Sequence, residues 1–141
     1  MKTILTFLHN SKSLLILCLI FSVSKKTIAQ EQSDADLKTF KIKIENTKKG
    51  IKMQSLEGSA WTDLSFSTIK FKPQAINENG MTTLKEDTSG TDSDFADYLF
   101  TITKTKKGVE LKGIKGTAWE ELNFTLPQNT VQTIDQLGMV E

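Results

Sequence analysis

Two carboxylates in this sequence have the type and spacing that acid–base chemistry requires. Asp63 and Glu121 each lie two residues after a tryptophan. A carboxylate pair can hydrolyse a glycosidic bond when one group acts as acid and the other as base or nucleophile. The competing interpretation, which we expect, is that both side chains lie on the solvent face of a strand, opposite Leu64 and Leu122. A carboxylate-based hydrolase is therefore the least favoured of three hypotheses.

The two tryptophans form a second candidate pair. Exposed aromatic rings can act as platforms for sugar rings, so Trp61 and Trp119 suggest a carbohydrate-binding module. Each of them directly follows an alanine and lies three residues after a glycine. This small-then-large pattern is typical of an indole that packs over a tight turn, and we expect core tryptophans. The candidate ligand-binding residues of the sequence are Trp61, Trp119, Asp63 and Glu121.

Most other catalytic and metal-binding chemistries lack their residues. The only histidine, His9, and the only cysteine, Cys18, lie within the first 29 residues, and the chain has no arginine. Residues 30–141 therefore lack the usual nucleophile–base pairs and zinc ligands. Their fourteen lysines and seventeen carboxylates give a net charge of −3, which argues against the clustered positive charge that nucleic acids require. We expect no enzymatic activity, no cofactor, no metal and no nucleic-acid partner.

Residues 1–29 are predicted to be an export signal. Lys2 and Lys12 precede an apolar run from Leu14 to Val23, and Ala29 supplies a small residue for cleavage. The run is shorter than the roughly 20 residues that a membrane span needs. Lys25 and Lys26 follow it, which is unusual for a signal peptide, so an uncleaved N-terminal anchor is the alternative. We expect a chain that begins at Gln30, lies in the periplasm or outside the cell, and does not span a membrane.

The elements that must position these residues occur twice. Residues 40–81 and 98–139 align without a gap, with 14 identities in 42 positions. A unit this short, without metal or disulfide, seldom holds a core of its own. The repeat therefore predicts that both copies share one core in a single domain, residues 38–141. A polar lead-in, residues 30–37, precedes the domain, and a linker, residues 82–97, joins the copies.

The hydrophobic period within each copy is that of β-strands. Ile42 and Ile44 alternate with charged residues, and the alternation resumes after Gly50. We expect a hairpin in which Gly50 has a positive φ, a third strand through Leu64 and Phe66, and a closing segment that is either a fourth strand or an irregular cap. The sequence thus predicts an all-β fold: two tandem repeats of three to four antiparallel strands that share one core as a pseudo-two-fold sandwich or barrel.

Each predicted hairpin carries a pair of lysines at its tip, Lys48 and Lys49 in one copy and Lys106 and Lys107 in the other. Such tips can contact anionic glycans or lipid headgroups. More often they are solvated turns whose charge discourages edge-to-edge pairing of sheets. We expect solvated turns here.

The duplicated motif has a resemblance. The stretch from Gly108 to Phe124, with its G-x-A-W and L-x-F elements, and the segment from Ile134 to Met139 resemble short exported repeat proteins of flavobacteria and other Bacteroidota. The resemblance implies export and carries no assigned activity. Our leading hypothesis is a small exported, non-enzymatic β-domain that binds a protein or a cell-envelope component such as a glycan. The alternative is a carbohydrate-binding module that uses Trp61 and Trp119.

Overall fold

The alternating apolar residues of each repeat form antiparallel strands. The computed structural model describes residues 36–69, 71–85 and 94–141, all within one compact unit, Gln32–Glu141. The predicted export signal lies outside the described residues. Repeat one forms β1 (Lys41–Asn46), β2 (Gly50–Glu57), β3 (Asp63–Ser67), β4 (Gln74–Asn77) and β5 (Gly80–Thr82). Repeat two forms β6 (Leu99–Lys104), β7 (Gly108–Lys115), β8 (Glu121–Thr125), β9 (Val131–Asp135) and β10 (Gly138–Val140).

Each of the two five-stranded sheets contains strands from both repeats. Sheet A has the order β10-β9-β1-β2-β3, and sheet B has the order β5-β4-β6-β7-β8. The first three strands of a repeat form one sheet, while its closing hairpin pairs with the first strand of the other repeat. The all-β class and the shared core are confirmed. The reciprocal exchange of closing hairpins goes beyond that prediction.

The core follows the period of two and joins the repeats. Ile42 points inward and is fully buried, while its neighbour Lys43 is exposed. Three aromatic rings pack at the centre: Phe40 lies 4.4 Å from Tyr98 and 6.4 Å from Phe100, measured between ring centroids. Phe40 and Tyr98 occupy equivalent positions in the two repeats, so this aromatic cluster joins one repeat to the other.

The closing segment of each repeat is a hairpin of two short strands. In repeat two, the side chain of Asp135 accepts hydrogen bonds from the N–H groups of Leu137 at 2.8 Å and Gly138 at 3.0 Å. In repeat one, Asn77 accepts the equivalent bond from Asn79 at 2.9 Å. Gly138 has a φ of 139°, which a residue with a side chain rarely adopts. Each repeat therefore has five strands, because a side-chain-capped turn splits the closing segment.

The glycine at the end of each lysine-bearing turn has a different role from the predicted one. Gly50 does not have a positive φ, so that expectation is wrong. A Cβ atom at Gly50 would lie 2.0 Å from the carbonyl oxygen of Phe66, and one at Gly108 would lie 2.1 Å from that of Phe124. Glycine is needed because β3 and β8 approach these positions too closely for any side chain.

The third strand is shorter than its apolar residues suggest. β3 ends at Ser67, and Ile69 and Phe71 are exposed rather than paired in the sheet. Phe71 has a φ of 65°, which turns the chain away from sheet A towards β4 in sheet B. The chain between Ser67 and Gln74 thus crosses from sheet A to sheet B.

Candidate functional site

Each tryptophan holds the closing hairpin of its own repeat. The Nε1–H of Trp61 donates to the carbonyl oxygen of Asn77 at 3.0 Å, and that of Trp119 donates to Asp135 at 2.9 Å. Because the closing hairpin lies in the opposite sheet, each indole links the two sheets. Trp119 is only 8% exposed and packs beside Phe100, while Trp61 is half-buried against the core. The polar atoms of both rings are therefore engaged by the fold.

The two candidate carboxylates lie at opposite edges of the sandwich. Asp63 begins β3, an edge strand of sheet A, and Glu121 begins β8, an edge strand of sheet B; both are exposed. A Cβ built at Gly80 in β5 would lie 3.8 Å from Leu64, so β3 packs over the β5 edge of sheet B. β8 is the other edge of that sheet, four strand spacings or roughly 19 Å away. The structure does not bring Asp63 and Glu121 into one cleft.

A buried polar group lies beside Trp61. The hydroxyl groups of Tyr98 and Ser59 are 2.7 Å apart, and Glu78 is also fully buried. Burial raises the pKa of Tyr98 well above its usual range, and the charge of Glu78 adds to this, although hydrogen bonds with Ser59 and Trp61 act in the opposite direction. Phe40 occupies the position in repeat one that is equivalent to Tyr98. A neutral phenol without solvent exposure is a hydrogen-bonding group of the core and is unsuited to acid–base catalysis.

The two lysine-bearing tips lie together at one end of the sandwich. Lys104, at the end of β6, donates from Nζ to the carbonyl oxygen of Thr47 at 2.8 Å and to that of Gly50 at 3.4 Å. This side chain therefore ties the second tip to the first. Within each tip the threonine hydroxyl accepts the N–H of the closing glycine at 3.1 Å, which fixes the turn that carries the lysine pair.

Two crossing segments complete this end: residues 68–73, of which the structure describes all but Lys70, and residues 126–130. The N–H of Phe71 donates to the carbonyl oxygen of Lys104 at 3.2 Å, and the N–H of Asn129 donates to that of Asn46 at 2.7 Å. The bonds are related by the repeat, since each crossing segment attaches to the last residue of the other repeat's first strand. We call the two tips and the two crossing segments together the lysine end.

The lysine end contains a groove of about 290 Å³. None of its lining residues is a carboxylate. Four of them are lysines: Lys48, Lys104, Lys106 and Lys107. The nearest carboxylates along the chain are Glu45 in β1 and Glu110 in β7, and Glu110 already pairs with Lys112 at 3.3 Å. The groove therefore concentrates positive charge on a chain that is acidic after residue 29.

A second hollow, about 180 Å³, lies beside Gly116. Lys115 and Asp97 in its lining form a salt bridge of 2.7 Å. Its charges are thus of both signs and partly compensated, in contrast to the groove at the lysine end.

The two crossing segments differ in the residues that they expose. Asn129 and Phe71 are equivalent positions with φ values of 61° and 65°. Asparagine tolerates this left-handed conformation, whereas a bulky residue there is strained by about 1–3 kcal/mol. Phe71 is 61% exposed and the nearby Ile69 is 68% exposed, so neither of these two side chains gains much burial. Repeat two has Pro127 and Asn129 at these positions.

Sequence reasoning identified the lysine pairs but interpreted them as solvated turns. It did not predict that the two tips lie close together, because their proximity depends on how the two sheets are arranged. It also did not single out Lys104 or the crossing segments. A residue-by-residue comparison of residues 68–73 with 126–130 would have found the difference, because one segment is basic and apolar and the other is uncharged.

Comparisons with known protein families, characterised proteins and solved structures find no match for this chain. Across residues 36–69, 71–85 and 94–141, no helix is long and apolar enough to cross a membrane. In the same residues, no cluster of three metal-ligating side chains occurs. The candidate site is the lysine end, because its groove is lined by four lysines and no carboxylate.

Proposed function

We propose that this protein is a small exported, non-enzymatic β-domain that binds an anionic component of the cell envelope through its lysine end. The observation that carries the proposal is the groove between the two hairpin tips, with four lining lysines and no lining carboxylate. The predicted export signal supports an envelope location. Phosphate and carboxylate groups are the ligand chemistry that such a groove selects.

The electrostatics of the groove favour an anion. Ammonium groups that share one groove repel each other; a pair at a separation of about 6 Å, for example, would do so by roughly 0.7–3 kcal/mol at an effective dielectric of 80 to 20. A multivalent anion between the tips replaces this repulsion with attraction to several lysines at once. Exposed lysines remain mobile and hydrated, so the groove suits a repetitive or polyvalent anion more than a single small ligand.

The carbohydrate alternative has less support from the geometry. It needs indole faces that are available to sugars, whereas Trp119 is 8% exposed and both indole N–H groups donate to the backbone. The hydrolase hypothesis has less support still, because it needs Asp63 and Glu121 across a common cleft.

Titration with tripolyphosphate tests the proposal. We expect backbone amide shifts in nuclear magnetic resonance spectra to concentrate in residues 46–50, 104–108 and 126–130. A quadruple glutamine variant should abolish them: Lys48→Gln, Lys49→Gln, Lys106→Gln and Lys107→Gln. None of these four side chains supports the fold through a hydrogen bond to the backbone of the kind that Lys104 makes, so the variant should remain folded.

A control variant removes two lysines outside the tips. Lys41→Gln with Lys43→Gln changes β1 of sheet A, away from the tips, and should leave the tripolyphosphate shifts in place. A quadruple variant that binds like the unchanged chain would show that the tips are not the binding site. A control that binds as poorly as the quadruple variant would show that binding reflects total charge. Either result would refute the proposal.

A further inference from the structure

We propose that the anionic component is the surface of an anionic lipid bilayer, and that Ile69 and Phe71 insert into it beside the lysine tips. This inference rests on the proposed function, because the lysine end must first bind anions. It adds an apolar contact that a soluble polyanion does not offer.

The first observation is the exposure of two large apolar side chains at the lysine end. Ile69 and Phe71 are 68% and 61% exposed, and the N–H of Phe71 bonds to the carbonyl oxygen of Lys104. The sequence of the segment alternates these residues with Lys70 and Lys72; Lys70 lies outside the described residues, and Lys72 is exposed. Exposed apolar side chains flanked by lysines are typical of segments that lie in the headgroup region of a membrane.

The second observation is that the fold itself does not call for phenylalanine at position 71. The backbone there has a left-handed φ of 65°, and the equivalent Asn129 has the same conformation with a residue suited to it. Phe71 accepts this strain without being buried in return. A strained, exposed aromatic residue indicates a contact outside the chain.

Charge complementarity selects the occupant. Residues 46–49, 67–73, 104–107 and 126–130 contain no Asp or Glu, so the whole end matches a uniformly negative surface. A protein partner of mixed charge would leave part of this lysine cluster unpaired. An anionic bilayer offers headgroups to the lysines and, just beneath the headgroups, acyl chains to the two apolar side chains.

Vesicle co-sedimentation tests the inference with the full chain. We expect binding to vesicles of phosphatidylglycerol and phosphatidylcholine in equal parts, and little binding to phosphatidylcholine alone. The quadruple glutamine variant should bind the anionic vesicles on the order of 10²–10³-fold more weakly. Every variant has the same N-terminus, and binding to phosphatidylcholine alone measures any lipid affinity of the apolar run from Leu14 to Val23.

The decisive variant is Phe71→Asn, which copies repeat two. We expect it to bind anionic vesicles roughly tenfold to hundredfold more weakly, to bind tripolyphosphate as before, and to unfold at a higher temperature because the strain is relieved. Phe71→Leu should keep most of the vesicle binding. Leu137→Ser is the control, since Leu137 is similarly exposed at 57% but lies in the turn between β9 and β10.

The outcomes separate the two proposals. Equal vesicle binding by Phe71→Asn and the unchanged chain would overturn the bilayer inference. A chain that binds tripolyphosphate but ignores anionic vesicles would overturn it too, and would identify a soluble or protein-borne polyanion as the ligand. Loss of tripolyphosphate specificity for the lysine tips would refute the proposed function and this inference with it.

Discussion

The buried phenol of Tyr98 gives a sharp prediction about alkaline stability. Burial raises its pKa in the folded protein, whereas an unfolded tyrosine titrates near pH 10. Above about pH 10 the unfolded chain has therefore released the proton while the folded chain retains it. The contribution of Tyr98 to stability is complete below that pH and falls by about 1.4 kcal/mol for each further pH unit.

Urea unfolding at increasing alkaline pH measures this effect. The comparison is with Tyr98→Phe, which matches Phe40 of the other repeat and cannot ionise. At neutral pH the variant should lose about 0.5–1.5 kcal/mol with the hydrogen bond to Ser59. Above about pH 10 the gap between the two proteins should shrink and then reverse. Lysine titration affects both proteins alike and cancels in the difference.

The absorbance of tyrosinate provides an independent reading, because Tyr98 is the only tyrosine in the chain. We expect the tyrosinate band to develop together with the loss of native circular dichroism. A band that develops near pH 10 while the circular dichroism stays native would refute the argument from burial. Parallel loss of stability in both proteins would refute it as well.

Three further predictions follow from the fold. Trp119→Ala should lower the free energy of unfolding by roughly 3–5 kcal/mol, and Trp61→Ala by less, because Trp61 is only half-buried; equal, small losses in thermal unfolding would contradict this. Gly108→Ala should destabilise markedly, since its Cβ would lie 2.1 Å from the carbonyl oxygen of Phe124, and Thr105→Ala, with one hydrogen bond lost, is the milder control in the same unfolding assay. Cleavage at a protease site inserted between Lys85 and Asp94 should leave both fragments in one particle by size-exclusion chromatography, and their separation without denaturant would contradict the exchange of hairpins.

The strands and their inward residues were predictable because they depend on local pattern. Ile42 and Ile44 alternate with charged residues, and a single buried face then determines which side chains point inward. The five-strand count was missed because the closing segment is short, and its turn depends on side-chain bonds from Asn77 and Asp135. The role of Gly50 was misjudged because close approach of another strand leaves no local signal.

The exchange of closing hairpins could not be predicted from the pattern. The segment from Gln74 to Met81 has the same alternation whichever sheet it joins, and only tertiary packing decides between them. The lysine end depends on that decision, since its groove forms between tips that are about 58 residues apart in the sequence. The strain at Phe71 is a backbone property, so it too becomes visible only in three dimensions.

The exchange of hairpins has a consequence for the order in which the chain folds. Lys41 of β1 pairs with Asp135 of β9. The pairing of β1 in sheet A therefore cannot be completed until a segment 94 positions later in the chain has been made. Such distant pairing slows folding, because a long loop must close before its contacts are gained. A chain that emerges N-terminus first exposes the open edge of β1 for most of its synthesis. The strand that is made first is therefore among the last to be completed.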